Sequence, residues 1–135
     1  TLTCGVSEGI MAACLALLNR QDEVLVLEPF YENYLPALYL AGARPVFIPL
    51  RHPDFNLDFD RLGQMVTGKV KALILNNPMN PSGRVFSREE LLSLSAFCRH
   101  HGLLVITDEI YEDIIFDRRI HHSIAALPAW WCRPE

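Results

Sequence analysis

No apolar run in the sequence approaches the roughly 20 residues that a membrane-spanning helix needs. A charged start followed by an apolar core and a small-residue cleavage site, the pattern of a secretory signal, is also missing. Basic residues are scarce: 12 Lys and Arg stand against 16 Asp and Glu, for a net charge of −4. That balance leaves no electrostatic footprint for nucleic acid or an anionic membrane, so neither is an expected partner. C-x-x-C pairs are absent, and Cys4, Cys14, Cys98 and Cys132 are widely separated. Cys14 and Cys98 fall on the apolar faces of predicted helices, where buried free thiols are the natural reading. A reducing compartment fits, with the cytoplasm as the default location. Histidine lacks metal spacing: His100-His101 and His121-His122 are adjacent pairs without the i, i+4 step that aims two ligands at one ion, so no metal site is expected. Internal repeats, low-complexity segments and linkers are absent as well.

What is present is a globular composition, with 50% hydrophobic and 21% charged residues in a chain of 135, enough for one domain with a core. Ser7 to Asn19 reads as a helix rich in small apolar residues, and Glu23 to Leu27 as a strand ended by Pro29-Phe30-Tyr31. A helix from about Asn33 to Ala41 is closed by Gly42, and a short strand runs from Pro45 to Pro49. After a loop over His52 to Leu57, Asp58 caps a helix to Val66. Ala72 to Leu75 is a strand. Ser87-x-x-Glu90 opens a helix with a capping box, and that helix runs to His101 and stops at Gly102. His100 and His101 then sit where they complement the helix dipole. Leu103 to Thr107 is the last strand. The order α-β-α-β-α-β-α-β predicts an α/β fold: a doubly wound, mostly parallel sheet with helices on both faces.

Two stretches organise the rest. Asn76-Asn77-Pro78-Met79-Asn80-Pro81-Ser82-Gly83 follows one apolar run, and Asp108-Glu109-Ile110-Tyr111 follows another. Both runs are short and unalternating, as in parallel strands buried on both faces. Both deliver polar side chains past a strand's carboxyl end, where open α/β sheets place ligands. The two prolines fix φ and restrict Asn77 and Asn80 before them, a rigid frame that pins an amide. A simple turn favours these residues too, but rarely needs eight of them. A carboxylate at a buried strand end requires a partner or water. Asp108 and Glu109 therefore either cap the next segment or meet a cationic ligand group. An amide (Asn80), a carboxylate (Asp108) and a phenol (Tyr111) are expected over one pocket.

Two weaker signals lie upstream. Gly5-Val6-Ser7 enters the first helix, where free N–H groups and the helix dipole suit a phosphate; the plainer reading is a helix start capped by Ser7. Tyr31 is an aromatic at a strand end, placed to lie on a ring or simply to pack. Gly63 to Lys69 matches G-x-x-x-x-G-K, but Val70 stands where Ser or Thr is required. The match also falls between a helix and the next strand, whereas a phosphate loop follows a strand and opens a helix. It is a decoy.

The succession G-V-S, P-F-Y, N-N-P-M-N-P-S-G and D-E-I-Y resembles the class I/II aminotransferases, pyridoxal-phosphate enzymes of fold type I. The resemblance covers essentially the whole chain, and its most specific part is the N-P-x-N-P-[ST]-G block followed by D-E-x-Y. It implies that Gly5, Val6 and Ser7 hold the phosphate of pyridoxal 5'-phosphate and that Tyr31 stacks on its ring. It further implies that Asn80 and Tyr111 bond the phenolic oxygen and that Asp108 pairs with the pyridine nitrogen. An amino acid and a 2-oxo acid are the implied substrates, and a homodimer the implied assembly. A carbon–sulfur lyase or aminocyclopropane-carboxylate synthase on the same scaffold, or a non-catalytic ligand-binding remnant, are the alternatives.

The family also needs a lysine amine that condenses with the cofactor. Only Lys69 and Lys71 occur, and both open the strand that ends near Asn76. Lys71 is six residues from Asn77, roughly 20 Å at about 3.3 Å per residue. The chain begins at Thr1 and stops at Arg133-Pro134-Glu135 without a closing element. The expectation is a partial cofactor-binding large domain spanning 1–135, with the N-terminal segment, the lysine-bearing part and the small domain absent.

Overall fold

The computed structural model describes residues 1–127. Four helices and four strands alternate: α1 (Val6–Leu17), β1 (Glu23–Glu28), α2 (Tyr34–Leu40), β2 (Arg44–Pro49), α3 (Phe59–Met65), β3 (Val70–Asn76), α4 (Arg88–His100) and β4 (Leu104–Asp108). A single 3-10 turn, Ile124–Ala126, follows. All strand pairings are parallel, in the order β2-β1-β3-β4. This is the doubly wound architecture that the element order predicts.

Strand alternation divides the core into two layers. Val24, Val26, Ala72, Ile74 and Ile106 face α1 and α2, with Ile10, Cys14, Tyr34 and Leu38 packed against them. Their neighbours Leu25, Leu27, Leu73 and Leu75 face α3 and α4, with Leu62, Leu91, Leu94 and Cys98. Because successive side chains point to opposite faces, a strand must be apolar throughout to serve both layers. β1 and β3 meet this demand, and their interiors are buried almost end to end. β4 does not: Leu104 is exposed and Val105 only half-buried. The expectation of burial on both faces is corrected for this strand, which pairs on one side only, with β3.

Local chemistry sets the helix ends. The Ser87 hydroxyl accepts from the Glu90 N–H at 3.2 Å, and the Glu90 carboxylate accepts from the Ser87 N–H at 2.9 Å, closing the capping box. The Asp58 carboxylate accepts from the Arg61 N–H at 3.1 Å. α1 differs from expectation. It starts at Val6, its N-cap is Gly5, and no side chain caps it, so Ser7 lies inside the first turn. Cys14 and Cys98 are buried free thiols, as anticipated, while Cys4 is exposed. Burial pushes the Cys98 thiol up to about 12, which keeps it protonated and inert. Cys132 lies outside the described residues.

Leu73 is fully buried at the centre of β3. Leu73→Ala is expected to cost about 2–5 kcal/mol, read as a lower denaturation midpoint at unchanged m-value in the full-length protein.

Candidate functional site

β1 and β3 are neighbours in the sheet, yet the helices that follow them, α2 and α4, cover opposite faces. The connections that leave their carboxyl ends therefore diverge, and a crevice opens where the winding reverses. A cavity of about 190 Å³ occupies it. The start of α1 contributes Val6, Ser7 and Ile10, and the segment after β1 contributes Tyr31, Asn33 and Tyr34. β3 and its loop bring Asn76 and Asn80, and the end of β4 brings Asp108, Ile110 and Tyr111. A larger depression of about 560 Å³ lies elsewhere, around Phe55, Arg84 and Phe116, and takes in none of these groups.

The loop after β3 is built before it is functional. Asn76 pairs in register with Asp108, and the Asp108 carbonyl accepts from the Asn77 N–H at 2.9 Å and from Asn76 Nδ2 at 3.0 Å. The other end of the Asn76 amide, Oδ1, accepts from the Asn80 N–H at 2.6 Å. Asn77 is buried, donates to the His122 carbonyl at 3.1 Å and accepts from the Phe86 N–H at 3.0 Å. Reciprocal bonds between Met79 and the 83–84 segment close the turn. The first two asparagines are thus consumed as tethers. The Asn80 amide and the Tyr111 hydroxyl make no side-chain hydrogen bond to any described residue, and both line the cavity.

The two adjacent carboxylates have different environments. Asp108 is 4% exposed; its Oδ2 accepts from the Tyr34 hydroxyl at 2.7 Å and its Oδ1 from the Ile110 N–H at 3.2 Å. Among the described residues no Lys, Arg or His pairs with it. Burial, then the hydrogen bond to Asp108 and its charge, hold the Tyr34 hydroxyl well above the usual phenol range, so it remains a donor. Glu109 instead accepts from Thr107 at 2.9 Å and Ser123 at 3.0 Å, and meets His121 at 3.2 Å. It anchors the returning chain, so the ligand-binding reading applies to Asp108 alone.

Tyr31 lines the cavity, meets Tyr34 edge-on at 5.7 Å between ring centres, and accepts from Asn33 Nδ2 at 2.7 Å. Val6 and Ser7 offer the uncapped N-terminus of α1 to the same space. Gly5 stands just outside the lining and shapes the entry: φ 84°, ψ 170° is a conformation that essentially only glycine adopts. Of the sequence-predicted residues, Val6, Ser7, Tyr31, Asn80, Asp108 and Tyr111 share one cavity. Sequence reasoning missed Tyr34 and Asn76. The signal for Asn76 was its place as the last residue of a buried strand; nothing local marked Tyr34. Lys69 and Lys71 stand at the opposite end of β3, and the decoy motif begins inside α3.

Asn77→Ala removes both loop tethers and leaves the Phe86 N–H buried without its acceptor. A loss of about 1–3 kcal/mol is expected, checked by denaturant unfolding. Gly5→Ala is expected to cost about 1–3 kcal/mol through backbone strain alone, since nothing lies within 4 Å of an added Cβ.

A geometry of this kind has counterparts. The chain is 39% identical to human kynurenine–oxoglutarate transaminase 1, over 98% of this chain and 34% of that protein. The solved N-succinyldiaminopimelate aminotransferase from Mycobacterium tuberculosis superposes with a TM-score of 0.91 at 41% identity, over 97% of this chain and 35% of that one. Cystalysin from Treponema denticola, solved with pyridoxal 5'-phosphate, superposes with a TM-score of 0.86 at 25% identity, over 92% of this chain and 32% of that one. The chain thus spans about a third of the length of the curated relatives it matches. The family model described as aminotransferase class I and II matches residues 1–129, nearly the whole sequence, and the chain belongs to that family.

Proposed function

We infer that this chain is the cofactor-binding part of the large domain of an enzyme that uses pyridoxal 5'-phosphate to move an amino group between an amino acid and a 2-oxo acid. The observation that carries the reading is Asp108. A buried carboxylate with one donor on each oxygen and no cation among the described residues fits a heterocyclic N–H presented from the cavity. The donor set around it fits the remaining parts of the same group. Tyr31 offers a ring face, Asn80 and Tyr111 offer uncommitted donors for a phenolic oxygen, and Val6 and Ser7 offer helix N–H groups for a phosphate. Gly5 sets the direction in which those N–H groups point.

When bound, the cofactor supplies an electron sink for the bond broken at the substrate Cα. The chain's own residues set the conditions. Asp108 holds a proton on the pyridine nitrogen, since a nearby negative charge favours the protonated ring. Asn80 and Tyr111 donate to the phenolic oxygen. Tyr31 would stack on the ring. The reacting lysine has no candidate here, because Lys69 and Lys71 open β3 at the far end of the sheet. The rest of the enzyme supplies it under this proposal, in keeping with relatives about three times as long. Pairing of two subunits and a cytoplasmic location belong to the same proposal and rest on the family resemblance.

Two measurements test it. The 135-residue chain alone is expected to show no turnover with pyridoxal phosphate, an amino acid and a 2-oxo acid; turnover would show that the missing lysine is not needed. In the full-length protein, Asp108→Ala is expected to lower the transamination rate by about 100-fold or more, as loss of a group aimed at developing charge does. Pyruvate released from cystathionine, in place of amino transfer, would move the assignment to a carbon–sulfur lyase.

A further inference from the structure

We propose that Tyr34 is a positioning residue that sets the Asp108 carboxylate and couples it to the stacking ring of Tyr31. The proposal rests on the reading of the cavity as a pyridoxal phosphate site and adds a residue that acts through two others.

Tyr34 is the first residue of α2 and is 2% exposed. Its hydroxyl donates to Asp108 Oδ2 at 2.7 Å across 74 residues of sequence. Its ring meets Tyr31 edge-on, at 5.7 Å and 87°. The span is informative. α2 follows β1, Asp108 ends β4, and β3 lies between those strands. The bond therefore bridges two inter-strand steps of about 4.8 Å each, a reach that needs a long and rigid donor. A buried phenol hydroxyl must find a partner; here that partner is the one carboxylate that lines the cavity.

The consequence for Asp108 is geometric. Ile110 N–H holds Oδ1 and the Tyr34 hydroxyl holds Oδ2, so the carboxylate plane is fixed from both sides. With Tyr34 removed, one donor remains and the group is free to turn about its Cβ–Cγ bond. A hydrogen bond to the ionised oxygen also favours the arrangement in which the proton sits on the ring nitrogen rather than on the carboxyl. Because Tyr34 also braces Tyr31, the ring plane and the nitrogen contact are set by one side chain.

The test uses the full-length protein loaded with pyridoxal phosphate labelled with nitrogen-15 in the ring. Tyr34→Phe keeps the ring and its edge contact and removes only the donor. It is expected to bind the cofactor about tenfold more weakly, the scale of one charge-assisted hydrogen bond, and to move the nitrogen resonance toward the unprotonated position. In an Asp108→Asn background the same change is expected to have little further effect on either readout, because the two residues act as one unit. Incorporation of 3-fluorotyrosine at position 34, a stronger donor of nearly the same shape, is expected to move the resonance the opposite way and keeps the test alive if Tyr34→Phe does not fold. Unchanged affinity and resonance in either variant, or effects that simply add to those of Asp108→Asn, would overturn the proposal. A wild-type protein that binds no pyridoxal phosphate would overturn the underlying functional reading instead.

Discussion

The main-chain carbonyl of Asp108 is the point on which the site depends. It receives both the Asn77 N–H and the Asn76 amide, and so locks the ends of β3 and β4 level with each other. A strand end is normally where pairing frays. Here the side chain of the last β3 residue adds one more rung and then reaches back to hold the Asn80 backbone. The amide that faces the cavity and the acid beside it therefore share a reference frame made of backbone. A buried polar network of this kind tolerates no half-made state, because each unpaired group in a dry interior costs more than its bond contributes.

The same strand end separates structure from chemistry by parity. Thr107, Asp108 and Glu109 follow the alternation of an extended chain. Asp108 turns toward α2 and the cavity, while Glu109 turns toward Thr107, Ser123 and His121. One acid lines the cavity and its neighbour fastens the loop that returns over the strand. The pair reads as a doubled acidic signal in sequence, but only one member is presented to the cavity.

How much of this was legible follows from what is local. The strand interiors, the capping box at Ser87 and the Asp58 cap depend on residues within a few positions, and the sequence marks them clearly. Asn80, Asp108 and Tyr111 stood out because a proline-framed loop and an acid at a buried strand end ask for more than a turn supplies, and the family resemblance sharpened them. Features that depend on strand order were hidden. That β4 pairs on one side only, and that Tyr34 reaches Asp108, both follow from the order β2-β1-β3-β4. The start of α1 misled for a different reason. Serine is a favoured cap, but the backbone reversal at Gly5 begins the helix two residues earlier and leaves its N–H groups without a side-chain acceptor.

Glu90 serves two masters with one carboxylate. One oxygen closes the cap on the first turn of α4, and the other binds the guanidinium of Arg84, itself buried over the face of Phe86 at 4.0 Å. Arg84 in turn supplies the carbonyl that holds Met79. The outer helix and the proline-framed hairpin are thereby latched by a single acid on the rim. Losing that glutamate would loosen both at once, although it lies outside the cavity that Asn80 lines.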